Sequence, residues 1–87
     1  MNAQTTIQVR YFASLREALG AGEILQLPGE ATVGAVRDAL IARSGRHTEV
    51  LARGRPVRTA LNQTLCDESA HVRDGAELAF FPPVTGG

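Results

Sequence analysis

The sequence has 87 residues, 44% of them hydrophobic, and its nine arginines balance nine acidic residues, with no lysine. That length allows one domain able to bury roughly 60% of its unfolded surface, and a net charge of zero gives no drive toward nucleic acid or an anionic membrane. The single cysteine, Cys66, excludes an internal disulfide framework and a multi-cysteine metal or iron–sulfur site.

The N-terminus, Met1-Asn2-Ala3-Gln4-Thr5-Thr6, lacks the basic and apolar regions of a signal peptide. No apolar run reaches the length of a membrane span, so a cytoplasmic protein is expected. Ile7-Gln8-Val9-Arg10-Tyr11 alternates apolar and polar and reads as a half-buried strand, with Phe12 on the opposite face. Ser14 and Glu17 have capping-box spacing and predict a short helix that stops at Gly20. Gly22 restarts the chain, Glu23 to Leu27 reads as a second strand with Leu25 and Leu27 on one face, and Pro28-Gly29 ends it in a turn.

Thr32 predicts the N-cap of a main helix over about Val33 to Arg43. Val33, Val36, Leu40 and Ile41 give it one apolar stripe, and Gly45 is expected as its left-handed C-terminal residue. Arg37–Asp38 and Arg16–Glu17 read as ordinary polar helix faces. Residues 46–58 read as an irregular, solvated basic loop with Val50 and Leu51 tucked under the sheet. Ala60-Leu61-Asn62 and Leu65-Cys66 read as two short strands around Asn62-Gln63-Thr64. Asp74-Gly75 is a turn, and Glu77 to Phe81 is the final strand, with Leu78 and Phe80 on one face and Ala79 and Phe81 on the other. Cys66 reads as a small buried hydrophobe, and His47 and His71 as too isolated to hold a metal.

One helix can cover only one face of such a sheet. The order therefore predicts an α+β two-layer fold: a ubiquitin-like β-grasp with a mixed sheet of four to five strands, first and last strands paired at the centre. Residues 1–87 form one domain in this reading, with 82–87 as a protruding tail. Pro82 and Pro83 hold the backbone near polyproline II and stop the strand. Val84 and Thr85 follow, and Gly86 and Gly87 carry no Cβ. Fully extended, such a tail reaches at most roughly 20 Å, enough to enter a deep pocket on a partner.

Four stretches carry a resemblance: Arg10 to Glu17, Thr32 to Leu40, Ala60-Leu61-Asn62-Gln63-Thr64-Leu65, and Asp74 through Pro82-Pro83-Val84-Thr85-Gly86-Gly87. They resemble the ubiquitin-like sulfur-carrier family that includes the small subunit of molybdopterin synthase. The resemblance implies that the carboxylate of Gly87 is adenylated by a ubiquitin-activating-like adenylyltransferase that uses ATP, with no cofactor held by the chain itself. A sulfur donor then converts the acyl adenylate to a thiocarboxylate. It also implies that the tail inserts into a large catalytic subunit, in a heterotetramer of two small and two large subunits, and gives sulfur to a cyclic pyranopterin precursor. The small subunit is then no enzyme by itself. Gly86 lets the backbone pass a narrow channel, and Pro82 and Pro83 reduce the order lost on insertion.

Phe12, Leu65 and Phe81 are the expected docking patch. Strand alternation sets Phe12 and Phe81 opposite the core-facing residues, and the family resemblance points to aromatic and leucine contacts there. Other uses of a Gly-Gly end stay open: a sulfur carrier for another pathway such as thiamine synthesis, or a ubiquitin-like modifier that forms isopeptide bonds through Gly87.

Overall fold

Alternation decides the sheet. In β1 (Gln4–Tyr11), Thr5, Ile7, Val9 and Tyr11 are buried, and the residues between them are not. In β7 (Glu77–Phe81), Leu78 and Phe80 point into the same core. The structure, a computed structural model, describes residues 4–83. Val84, Thr85, Gly86 and Gly87, expected to form the tail, lie outside the described residues.

Between these strands run α1 (Ser14–Leu19), β2 (Gly22–Pro28), β3 (Ala31–Thr32), α2 (Val33–Ile41), α3 (Gly45–Leu51), β4 (Arg58–Leu61), β5 (Thr64–Cys66) and β6 (His71–Val72). Among the described residues, five strands form one mixed sheet in the order β2-β1-β7-β4-β5, and β3 pairs with β6. β1 and β7 are parallel neighbours at the centre, with Val9 opposite Leu78 and Tyr11 opposite Phe80. The helices share one side of this sheet: Leu15 of α1, Val33, Val36 and Leu40 of α2 and Leu51 of α3 join Ile7, Val9, Tyr11, Leu78 and Phe80 in a single core. This is the expected β-grasp arrangement.

Thr32 caps α2 as its sequence predicts, accepting a hydrogen bond from the Ala35 N–H at 3.2 Å. Other local expectations fail for identifiable reasons. Ser14 is no N-cap. The cap position is Ala13, held at φ 55°, and the carbonyls of Phe12 and Ala13 take the first-turn N–H groups. α2 ends at Ile41, short of Arg43. Gly45 does not close it in a left-handed turn. It opens α3, whose cap is Ser44, the acceptor of the His47 N–H. The stretch expected to be irregular from residue 46 is thus helical to Leu51, which is buried; Val50 packs against the core.

The polar faces also differ from expectation. Arg37 is 4% exposed and turned inward, not an ordinary polar residue of a helix face. Arg53 is exposed in the loop after α3, as expected, but it also pairs with Asp38 at 2.9 Å and with Glu68. His47 is not isolated, because its Nε2 lies 2.6 Å from Glu23 Oε2. Cys66 is half-buried at the edge of the sheet, where Thr59 lies beside it.

Candidate functional site

The face of the sheet away from the helices is built by register. Arg10 stands opposite Ala79, Ala79 opposite Ala60, and Ala60 opposite Leu65, so these four side chains form one row across β1, β7, β4 and β5. One step along, the Phe12 N–H donates to the Phe80 carbonyl at 3.1 Å. That bond carries the β1–β7 ladder past the end of β1 and sets Phe12 beside Phe81. Phe12 is 43% exposed, Leu65 is 67% exposed and Phe81 is half-buried.

Phe12, Phe81, Arg10, Ala60 and Ala79 line one shallow concavity, with Gln63 and Glu77 at its rim. Its floor is low because two of the central residues are alanines. Leu65 is on the same face but stands at the β5 end of the row, outside that concavity. The expected patch is therefore a pair, Phe12 and Phe81, and a separate apolar knob, Leu65. Sequence reasoning missed Ile24. It is 62% exposed and, through Gln8 and Glu77, belongs to the next row of this face. Alternation against Leu25 and Leu27 was the signal that could have found it.

Three charged residues share this face: Arg10, Glu77, and Arg58, exposed opposite Phe81. Arg10 and Glu77 approach at 3.8 Å across partly exposed positions, a contact of little energetic weight. What the face offers is apolar area in a fixed relief, which suits docking rather than chemistry.

The hairpin at one end of the face is held in shape by its turn. Asn62 and Gln63 both have positive φ, 49° and 71°, the pattern of a two-residue I′ turn. The Asn62 side-chain oxygen accepts the Glu77 N–H at 3.0 Å, and the Asn62 N–H donates to the Glu77 carbonyl at 2.8 Å, which ties the turn to the start of β7. At the other end β7 stops at Phe81 because Pro82 has no N–H to continue the ladder. Pro82 and Pro83 are half-buried and line a groove together with Leu15, Val50, Pro56 and Val57. The remaining expected site residues, Val84, Thr85, Gly86 and Gly87, lie outside the described residues.

Two titratable clusters sit behind this face. Burial pushes the Glu23 carboxyl up, but hydrogen bonds from Tyr11 and His47, with the charges of His47 and Arg43, outweigh it and hold the group below its ordinary value. Burial and the hydrogen bond to Glu23, 2.6 Å long, push the Tyr11 phenol well up. Glu68 follows the same logic as Glu23: burial raises it, and the bonds from Arg53 and Arg37 lower it further, with a net downward shift. Neither cluster reaches the docking face.

Residues 9–87 match the ThiS family. The chain is 40% identical to the molybdopterin synthase sulfur carrier subunit of Haemophilus influenzae and 41% identical to that of Escherichia coli, each over 93% of this chain and 99% of the relative. Among solved structures, SAMP1 of Haloferax volcanii superposes with a TM-score of 0.77 at 28% identity, covering 94% of this chain and 99% of that one. Subunits 1 and 2 of the molybdopterin-converting factor of Helicobacter pylori, solved as a complex, include a chain with the same fold, at a TM-score of 0.66 and 23% identity over 95% of this chain and all of that one.

Proposed function

The chain belongs to the ThiS family, and from that premise we propose that it is the sulfur-carrier subunit of a molybdopterin synthase. The observation that carries the reading is the pairing of two features. The pair Phe12 and Phe81 and the separate knob Leu65 lie on the helix-free face, and the central strand β7 ends beside the pair in Pro82-Pro83. The names of the two relatives at 40% and 41% identity support it.

The function follows from acyl chemistry. A carboxylate resists nucleophiles because its charge is delocalised and it offers no leaving group. Attack of the Gly87 carboxylate on the α-phosphorus of ATP, catalysed by an adenylyltransferase, expels pyrophosphate and gives an acyl adenylate. Hydrosulfide from a sulfur donor then adds at the acyl carbon, AMP leaves, and a thiocarboxylate remains. Its sulfur is a soft nucleophile, and tethering it to a docked protein raises its effective concentration at the acceptor. Gly87 supplies the reacting atom, Gly86 the slim approach, and Val84 and Thr85 the contacts inside the partner. Phe12, Leu65 and Phe81 dock on the large catalytic subunit, in a complex of two small and two large subunits. The chain itself contributes no catalytic side chain and holds no cofactor. Residues 1–87 act as one domain with 82–87 as the tail, and the setting is the cytoplasm.

Intact-mass spectrometry tests the reading. After incubation with ATP, an activating enzyme of this type and sulfide, the protein should gain the mass of one sulfur-for-oxygen exchange, localised by fragmentation to Gly87. An unchanged mass contradicts it. Isopeptide-linked C-terminal fragments of this chain on lysines of other proteins, in place of that exchange, would instead assign the chain to protein modification.

A further inference from the structure

Arg37 projects from α2 into the protein, and a buried guanidinium is unfavourable unless its donors are met. Here three of its four hydrogen bonds go to backbone carbonyls and one to a carboxylate. Nε donates to the Leu51 carbonyl at 2.7 Å, and Nη2 donates to the carbonyls of Ala52 and Arg55 at 2.8 and 3.2 Å. Nη1 donates to Glu68 Oε2 at 2.7 Å. The Leu51 carbonyl ends α3, where a helix leaves carbonyls short of partners and favours positive charge; the Ala52 carbonyl also accepts the Arg55 N–H at 3.0 Å, in the turn behind the helix.

Residues 52–57 have no helix or strand of their own, and Gly54 within them sits at φ 99°. Three arginines fix them: this guanidinium, Arg53, whose side chain bonds Asp38, Glu68 and the Gly34 carbonyl of α2, and Arg55, whose Nε donates to the Glu49 carbonyl at 2.9 Å. The same segment, through Arg55, Pro56 and Val57, lines a groove that Pro82 and Pro83 line from their side.

We propose that Arg37 is a positioning residue for the C-terminal tail. By helping to fix segment 52–57 it holds one wall of the groove whose other wall includes Pro82 and Pro83, and so sets the surroundings in which the chain leaves the fold. This rests on the sulfur-carrier reading. Arg37 touches no reacting atom; it acts through Pro56 and Val57, on the side of the sheet away from the docking face. Its loss therefore degrades how the acyl end is presented, not how tightly the protein docks.

Glu68 supplies the control. Glu68→Gln removes the charge that faces Arg37 and Arg53 but leaves in place the carbonyl bonds of Arg37 and the bonds of Arg53 to Asp38 and the Gly34 carbonyl, so segment 52–57 keeps its other anchors. Parent, Arg37→Met, Arg37→Lys and Glu68→Gln are converted chemically to thiocarboxylates. Each is then mixed with the purified large subunit and the pyranopterin precursor in single turnover, well below the lowest Tm of the set. In Arg37→Met the rate of sulfur delivery should fall about ten- to a hundredfold, the scale of a misplaced reacting group, with unchanged affinity for the large subunit. Glu68→Gln should keep the parental rate although its Tm is lower.

A parental rate in Arg37→Met overturns the proposal, as does a loss of rate that simply follows Tm across both positions. If Arg37→Met does not fold, Arg37→Lys, which keeps the charge but not the planar fork, is judged by the same criteria. A second readout does not depend on sulfur chemistry. Carbon chemical shifts of Val57, Pro82 and Pro83 should move in the Arg37 variants and stay in Glu68→Gln; equal movement in both overturns the proposal. A parent that delivers no sulfur while those shifts behave as expected counts against the sulfur-carrier reading and leaves the clamp standing.

Discussion

Truncating Leu65 isolates docking from folding better than any other change on the apolar face. It lies on the edge strand β5, in register with Ala60, and is 67% exposed. Full burial of a leucine side chain is worth about 1.5–3 kcal/mol, so covering the two-thirds still in water contributes about 1–2 kcal/mol to binding. Leu65→Ala should therefore raise Kd for the large subunit roughly five- to thirtyfold. The fold should hardly notice, because removing a side chain this exposed changes stability by about 0.5 kcal/mol, a Tm shift of about 2–4 °C for a domain of this size. Calorimetric titration of parent and variant at one salt concentration, with melting curves of both, measures the two effects separately. An unchanged Kd alongside an intact fold would refute the placement of Leu65 in the interface.

Other parts of the structure give expectations of their own. Glu23 is held below its ordinary carboxyl value of 4.5 in the fold, so its contribution to stability is present above that pH and disappears as pH falls through the lowered folded value. Glu23→Gln should be less stable than the parent at neutral pH, and the gap in Tm should close on acidification; a constant gap would be the wrong result. Gly22 is in register with Arg10, and a Cβ on it would meet the Val9 carbonyl oxygen at 2.3 Å. Gly22→Ala should therefore cost about 1–3 kcal/mol in urea unfolding by forcing β1 and β2 apart. Gln63 carries a left-handed φ of 71° in the hairpin turn, so Gln63→Gly should stabilise the protein by about 1 kcal/mol, read as a higher urea midpoint at constant slope.

How much was legible in the sequence depended on whether the determinants were local. β1 and β7 alternate strictly, the 62–63 turn uses an asparagine, and Thr32 stands directly before an apolar stripe. Each could be read from a few neighbouring residues. α3 was hidden because Gly45, Gly54 and Pro56 all argue for a loop, and Ser44, its cap, adjoins a glycine already assigned to the end of α2. The burial of Arg37 had no local signal at all. Its acceptors are carbonyls 14 to 18 residues away and a carboxylate 31 residues away, and a charged residue within a helix looks solvated until the fold supplies partners. The Glu23–His47 pair is likewise 24 residues apart.

The candidate site divides along the same line. Phe12 and Phe81 emerged from strand parity, since the faces of β1 and β7 are set by their buried neighbours. Ile24 obeys the same parity, but the half-buried Leu25 and Leu27 drew attention to the other face of β2. The groove at Pro82 and Pro83 was invisible, because its wall comes from residues 56–57, brought there by α3 and the Arg37 clamp.

The central claim is that the acyl end at Gly87 carries sulfur and surrenders it while the protein is docked. The most direct measurement loads that thiocarboxylate with isotopically heavy sulfur and mixes it with the large subunit and the pyranopterin precursor in single turnover. The account predicts that the protein returns to its carboxylate mass as the heavy sulfur appears in the dithiolene product. Product that forms without the label, or label that stays on the protein, would contradict it.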